Sequence, residues 1–172
     1  MKIKGVDVYV HWTVLALAGL MILGTLHSPA VTLVGLVSYL SVLLIHETGH
    51  LLVAHRRHTE VFSIKLYPIF GITNFETPWS RLDHCLIAWG GVLAQAVVAI
   101  PLVVWVRLFG FTRFELINVV FAILGFFSVG IALFNLLPVP PLDGATAWGL
   151  FPALVERAWA RRSRHPLDWR RR

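Results

Sequence analysis

Val42-Leu-Leu-Ile-His46-Glu47-Thr48-Gly49-His50-Leu-Leu-Val-Ala54 sets two histidines and a glutamate inside an otherwise apolar run. On an α-helix, positions i and i+4 share a face, so His46 and His50 can turn both imidazoles to one ion. Glu47 stands beside them, where a carboxylate can act on water. This H-E-x-x-H spacing is that of zinc hydrolases. The setting adds weight, because ionisable groups inside a long apolar segment are costly and default to function.

Outward from the motif, no Asp, Glu, Lys or Arg stands between Asp7 and Glu47. About 20 apolar residues cross the hydrocarbon core, so this stretch exceeds one crossing. Thr25-Leu26-His27-Ser28-Pro29 breaks it, which predicts spans near 9–27 and 31–54. A third apolar run lies between Asp83 and Arg107, and a fourth begins after Glu115 and fades at Pro138, Pro140 and Pro141. The 172 residues are 57% hydrophobic and 14% charged, with a mean hydropathy of +0.73. A soluble domain carries roughly a quarter charged residues, so a soluble globule is excluded, and the apolar bulk excludes disorder. Cys85 is the single cysteine, which excludes an internal disulfide and a cysteine-only metal site.

The expected fold is therefore an all-α polytopic membrane protein. It has about four transmembrane helices, a small membrane-associated β-hairpin and a C-terminal interfacial helix. The hairpin is expected in the polar connection 55–82, where Val61–Tyr67 alternates loosely and Ile69–Thr73 follows Pro68. The interfacial helix is expected over 145–160, where Trp148, Phe151, Leu154, Val155 and Trp159 fall near helical spacing. Four crossings put both termini on one side. All of the 15 basic residues except Arg107 and Arg113 then fall on that side, which the positive-inside rule assigns to the cytoplasm. The arginines after residue 156 read as orientation and attraction to anionic lipid; no aromatic-interleaved nucleic-acid motif accompanies them. The Lys2/Lys4 start is followed at once by spans and lacks a convincing cleavage site, so a cleavable leader is not expected. The chain divides into a core over 1–150 and an amphipathic, basic tail over 151–172.

A zinc site needs a third protein ligand and one open position. Asp143 lies in Asn135-Leu-Leu-Pro-Val-Pro-Pro-Leu-Asp143-Gly144, just past the fourth run. The prolines stop the helix and Gly144 permits a tight turn. Spans two and four end on the same side, so His50 and Asp143 can meet. Glu60 and Glu76 are the rival third ligands. His55 and His58 fall among arginines on the polar flank, and Cys85 reads as a packed residue.

His46-Glu47-Thr48-Gly49-His50 on one apolar segment, with Asn135-x-x-Pro138-x-x-x-Leu142-Asp143-Gly144 on a later one, resembles the site-2 protease family of intramembrane zinc metalloproteases. Val10-His11-Trp12-Thr13, Tyr67-Pro-Ile-Phe-Gly71 and Gly91-Val-Leu-Ala-Gln95 are weaker echoes. Val92 and Gln95 stand where the family has Pro and Asn, and Ile72 where a second Gly is common. The resemblance covers about residues 5–150, with no region for a PDZ or CBS domain. It implies one zinc ion on His46, His50 and Asp143, Glu47 as general base, and substrate contacts at Asn135 and Gln95. For those two, hydrogen bonding between helices is an equal alternative. His11 reads as an interface residue, and Gly90 and Gly91 as sites of close helix approach. The implied activity is hydrolysis of peptide bonds in or near transmembrane segments, as in regulated intramembrane proteolysis. The implied partners are a membrane-protein substrate and the bilayer, with no nucleic acid. The expected location is a bacterial cytoplasmic membrane with both termini cytoplasmic. A metal transporter and a catalytically idle scaffold are the rivals; clustering of the ligands at one end argues against the first, the intact motif against the second.

Overall fold

The computed structural model describes residues 2–3, 5–24, 28–68 and 71–163. Most of the expected break at 25–29, the Ile69-Phe70 pair and the tail from residue 164 onward lie outside these. The elements in chain order are β1 (Lys2–Ile3), β2 (Val6–Val10), α1 (Trp12–Gly24), α2 (Pro29–Arg56), β3 (Val61–Leu66), β4 (Gly71–Phe75), α3 (Arg81–Phe109), α4 (Glu115–Asn135), α5 (Gly144–Ala147) and α6 (Leu150–Ser163). The middle of α4, Phe121–Phe127, is π-helical.

Among the described residues, three helices are long and apolar enough to cross a membrane: α2 with 28 residues, α3 with 29 and α4 with 21. Local signals set their ends. Pro29 opens α2, where its missing N–H costs nothing. Ser80 caps α3, its hydroxyl accepting from the Asp83 N–H and donating to the Asp83 carboxylate. Gly110 ends α3 at φ 78°, a left-handed value that suits glycine. Burial is inverted relative to a soluble protein. Gln95 is fully buried and Glu47 is 3% exposed, while Val97 on the same helix as Gln95 is 75% exposed. Polar groups such as these are kept inside beside the apolar core, while large apolar side chains also cover the outer faces of the long helices, as lipid requires.

The first apolar run departs from its expected span at 9–27. Its opening residues are strand, and the described part of α1, Trp12–Gly24, has 13 residues, about 20 Å. The cause is non-local. Val6, Val8 and Val10 alternate, and β2 pairs in parallel with β3, Asp7 opposite Ser63 and Val10 opposite Leu66. The expected hairpin is present as the antiparallel pair β3–β4, enlarged by β2 and β1 into a four-stranded sheet of order β1-β2-β3-β4.

Parallel pairing of β2 with β3 sets the start of α1 beside the end of β3, where the His11 N–H donates to the Leu66 carbonyl at 2.9 Å. The sheet packs on α2 through Val8, Ile64 and Leu66 against Leu43 and Leu51, on either side of the histidine motif. The interior seam between α2 and α3 is a glycine contact. A Cβ at Gly49 would lie 2.2 Å from the Gly90 carbonyl oxygen, so only glycine lets the two backbones approach this closely. The C-terminal helix expected over 145–160 is present as α5 and α6.

Candidate metal centre

The centre forms where α2, α3, β4 and the chain between α4 and α5 meet. His46 and His50 lie one turn apart on α2, with ring centroids 4.7 Å apart. Their Nε2 atoms are 3.0 Å from each other. Asp143 Oδ2 lies 2.9 Å from His46 Nε2 and 3.3 Å from His50 Nε2. Tetrahedral zinc with ligands at 2.0–2.1 Å holds its donors about 3.3 Å apart, so the nitrogen, nitrogen and oxygen set fits zinc in kind and spacing. Gly91 of α3 supplies the room: a Cβ there would lie 2.7 Å from both Nε2 atoms.

The ring orientations are fixed from behind. His46 Nδ1 is 2.9 Å from Gln95 Oε1, and His50 Nδ1 is 2.8 Å from the Ile87 carbonyl oxygen. A carbonyl only accepts, so His50 carries a proton on Nδ1, and Nε2 is the atom that would ligate a metal. Glu47 is buried beside the cluster, and its Oε2 accepts a 2.6 Å hydrogen bond from the Thr73 hydroxyl of β4. Gly71, also on β4, leaves the space that Glu47 fills; a Cβ there would lie 2.3 Å from Glu47 Oε1.

A cavity of about 660 Å³ opens onto the cluster. His46, Glu47, His50, Asp143 and Asn135 line it, together with Gly71, Ile72, Thr73 and Phe75 of β4. Asn135 is thus at the cavity wall. Gln95 is not: it is turned to His46, and its Nε2 has no hydrogen-bond partner among the described residues. Glu60 and Glu76 stand at the open end of the β3–β4 pair, where the Glu76 N–H donates to the Glu60 carbonyl at 2.8 Å. Neither belongs to the three-residue cluster. His11 sits at the start of α1, in contact with Thr13 and Tyr67. His55 and His58 are exposed at the end of α2. Thr73, His84 at the cavity wall, and the Ile87 carbonyl were absent from the sequence-derived set. For Ile87 and Gln95 a signal existed: with Gly91 they form an i, i+4, i+8 stripe on α3, one face of one helix.

No family model matches the chain. A Synechocystis protein provisionally named a zinc metalloprotease is 34% identical over 106 residues, which is 58% of this chain and 26% of the relative. The match thus spans about a quarter of that relative's length. Among solved structures, the site-2 protease from Methanocaldococcus jannaschii aligns with a TM-score of 0.65 at 20% identity, covering 92% of this chain and 71% of that one.

Proposed function

From the premise that the chain has the site-2 protease fold, we propose that it is an intramembrane zinc metalloprotease, hydrolysing peptide bonds in or near transmembrane segments of membrane-protein substrates. The convergence of His46 Nε2, His50 Nε2 and Asp143 Oδ2 on one point beside a buried glutamate is the observation that carries this reading. These three residues would hold zinc, which when bound supplies Lewis-acid polarisation of the scissile carbonyl and makes water a nucleophile near neutral pH. Glu47 takes the proton of the attacking water and passes it to the leaving amine. Asn135, on the cavity wall, is placed to contact the substrate backbone.

A substrate helix hides its carbonyls in its own hydrogen bonds, so it must open before attack. Strand β4 supports a route. It pairs with β3 on one edge, and it lines the cavity, so an extended substrate can add to its outer edge next to Glu47. The three long apolar helices support a multi-pass membrane location, and the distribution of basic residues supports a cytoplasmic placement of both chain ends.

The test is Glu47→Gln, measured for zinc content and for cleavage of a co-expressed single-span membrane protein. The expected variant keeps zinc and loses cleavage. Cleavage at the wild-type rate would exclude Glu47 as the base, and altered zinc flux across vesicles without loss of cleavage would favour transport.

A further inference from the structure

We propose that Trp89 and Trp148 form a clamp that positions Asp143 and thereby sets how tightly the centre holds its metal; the inference rests on the metal reading above. His46 and His50 are held by the hydrogen-bond ladder of α2. Asp143 has only the single turn of the four-residue α5 behind it, its carbonyl accepting from the Thr146 and Ala147 N–H groups at 2.9 and 2.7 Å, and the chain between α4 and α5 is irregular. A metal bond tolerates displacements of only about 0.2 Å, so this stretch needs fixings of its own.

Two indole N–H groups supply them. Trp148 donates to the Leu136 carbonyl at 2.7 Å, so the residue just after α5 is tied back to the residue just after α4. Gly144, inside the closed segment, presses on the same carbonyl; a Cβ there would lie 2.3 Å from the Leu136 oxygen. Trp89 donates to the Ala147 carbonyl at 2.9 Å, and the Ala147 N–H donates to the Asp143 carbonyl at 2.7 Å. A chain of two hydrogen bonds therefore runs from α3 to the backbone of Asp143. The two indoles meet edge to face, centroids 5.8 Å apart at 79°, so each anchor braces the other. Trp89 precedes Gly91 by two residues on a rigid helix. The clamp and the floor beneath the imidazoles are thus parts of one body, and Asp143 is referenced to that floor. Trp79, by contrast, is 85% exposed.

The experiment uses the full chain in detergent micelles. Zinc affinity is measured by competition with a chromophoric chelator, and coordination by the visible spectrum of the cobalt-loaded protein. Trp148→Phe and Trp89→Phe keep the aromatic ring and remove the N–H; Trp79→Phe is the control. Each of the first two is expected to weaken zinc binding by about tenfold or more, the range for partners that orient ligands, and to shift the cobalt bands. The control leaves both unchanged. A change confined to the melting temperature of the metal-free protein, with zinc affinity and cobalt spectrum intact in both variants, overturns the clamp. If Trp148→Phe fails to fold, Trp89→Phe carries the test, since it leaves the closing bond in place. A wild-type chain that binds no zinc, or His46→Ala binding it as tightly as wild type, overturns the metal reading instead. Zinc held through His46 with equal affinity in both tryptophan variants overturns the clamp alone.

Discussion

A single methyl group at position 91 should separate the metal centre from the fold that carries it. In Gly91→Ala the new Cβ would lie 2.6 Å from His46 Cε1 and 2.7 Å from Nε2 of both histidines. Carbon contacts settle near 3.5–4.0 Å, so the rings must retreat by roughly 1 Å. They are not free to do so, because Gln95 holds His46 Nδ1 and the Ile87 carbonyl holds His50 Nδ1. Each such bond is worth about 0.5–1.5 kcal/mol net, or about 1–3 kcal/mol for the pair. The metal-free chain can bear the same loss, so the deficit in zinc affinity is that of displaced ligands, about 10- to 100-fold as for lost orienting partners. The metal-free protein loses less overall. Alanine is favoured over glycine in a helix interior by about 0.5–1 kcal/mol, and rings no longer needed for ligation can swing into the cavity. Thermal unfolding in detergent with and without zinc reads the difference, since a ligand that binds only the folded state raises the melting temperature. The wild-type chain should show a zinc-dependent rise and Gly91→Ala should lose it. A variant that keeps the full rise, with unchanged zinc affinity, would refute the placement of Gly91 beneath the imidazoles.

The remaining expectations follow from neighbouring contacts. Thr73→Val should keep zinc and lower kcat by about 10- to 100-fold, because a hydrogen bond to a charged group is worth roughly 1.5–3 kcal/mol. Thr73→Ser should restore the rate, and kinetics on a cleaved single-span substrate decide it; equal rates for the two variants would remove Thr73 from the orientation of Glu47. Gly49→Ala forces a methyl to 2.2 Å from the Gly90 oxygen and should destabilise the α2–α3 pair by about 1–3 kcal/mol as overpacking does. The melting temperature should then fall equally with and without zinc, and a fall only in the zinc-loaded state would mean the seam belongs to the site rather than to the fold.

What could be read from the sequence divides along local and non-local lines. The pairing of His46 with His50 needs only helical periodicity, and α2 delivers it. The three long apolar helices follow from composition and length. Asp143 could be narrowed to because the ends of spans two and four share a side, and the structure sets it at the imidazoles while the β3–β4 pair carries Glu60 and Glu76 elsewhere. Strand β2 escaped because its residues also extend an apolar run, and its partner β3 lies far along the chain. Contact at that separation leaves no periodic trace. The same holds for Thr73 on Glu47, and for the indoles of Trp89 and Trp148 on carbonyls of another segment. Gln95 was weighed as a substrate contact, yet it shares a helix face with Gly91, and that face is turned to α2 rather than to the cavity.

The stripe Ile87, Gly91, Gln95 also explains why a helix without a ligand governs the centre. Gly49 and Gly90 bring the α2 and α3 backbones together, so the second helix can offer bare space at Gly91 and one acceptor on either side of it. Those acceptors fix the proton of His50 on Nδ1, and that of His46 likewise with Gln95 Oε1 as its partner. Both Nε2 lone pairs then face the ionised oxygen of Asp143 at 2.9 and 3.3 Å. Three electron-rich atoms at such distances repel strongly in a site shielded from water. A shared proton would relieve one contact of the three. A cation relieves all of them at once, which is why the arrangement is better suited to a metal ion than to an ordinary buried hydrogen-bond network. The sparse charge of the chain fits the same logic: in an apolar helix bundle, a histidine pair and two carboxylates are kept together where one divalent cation can balance them.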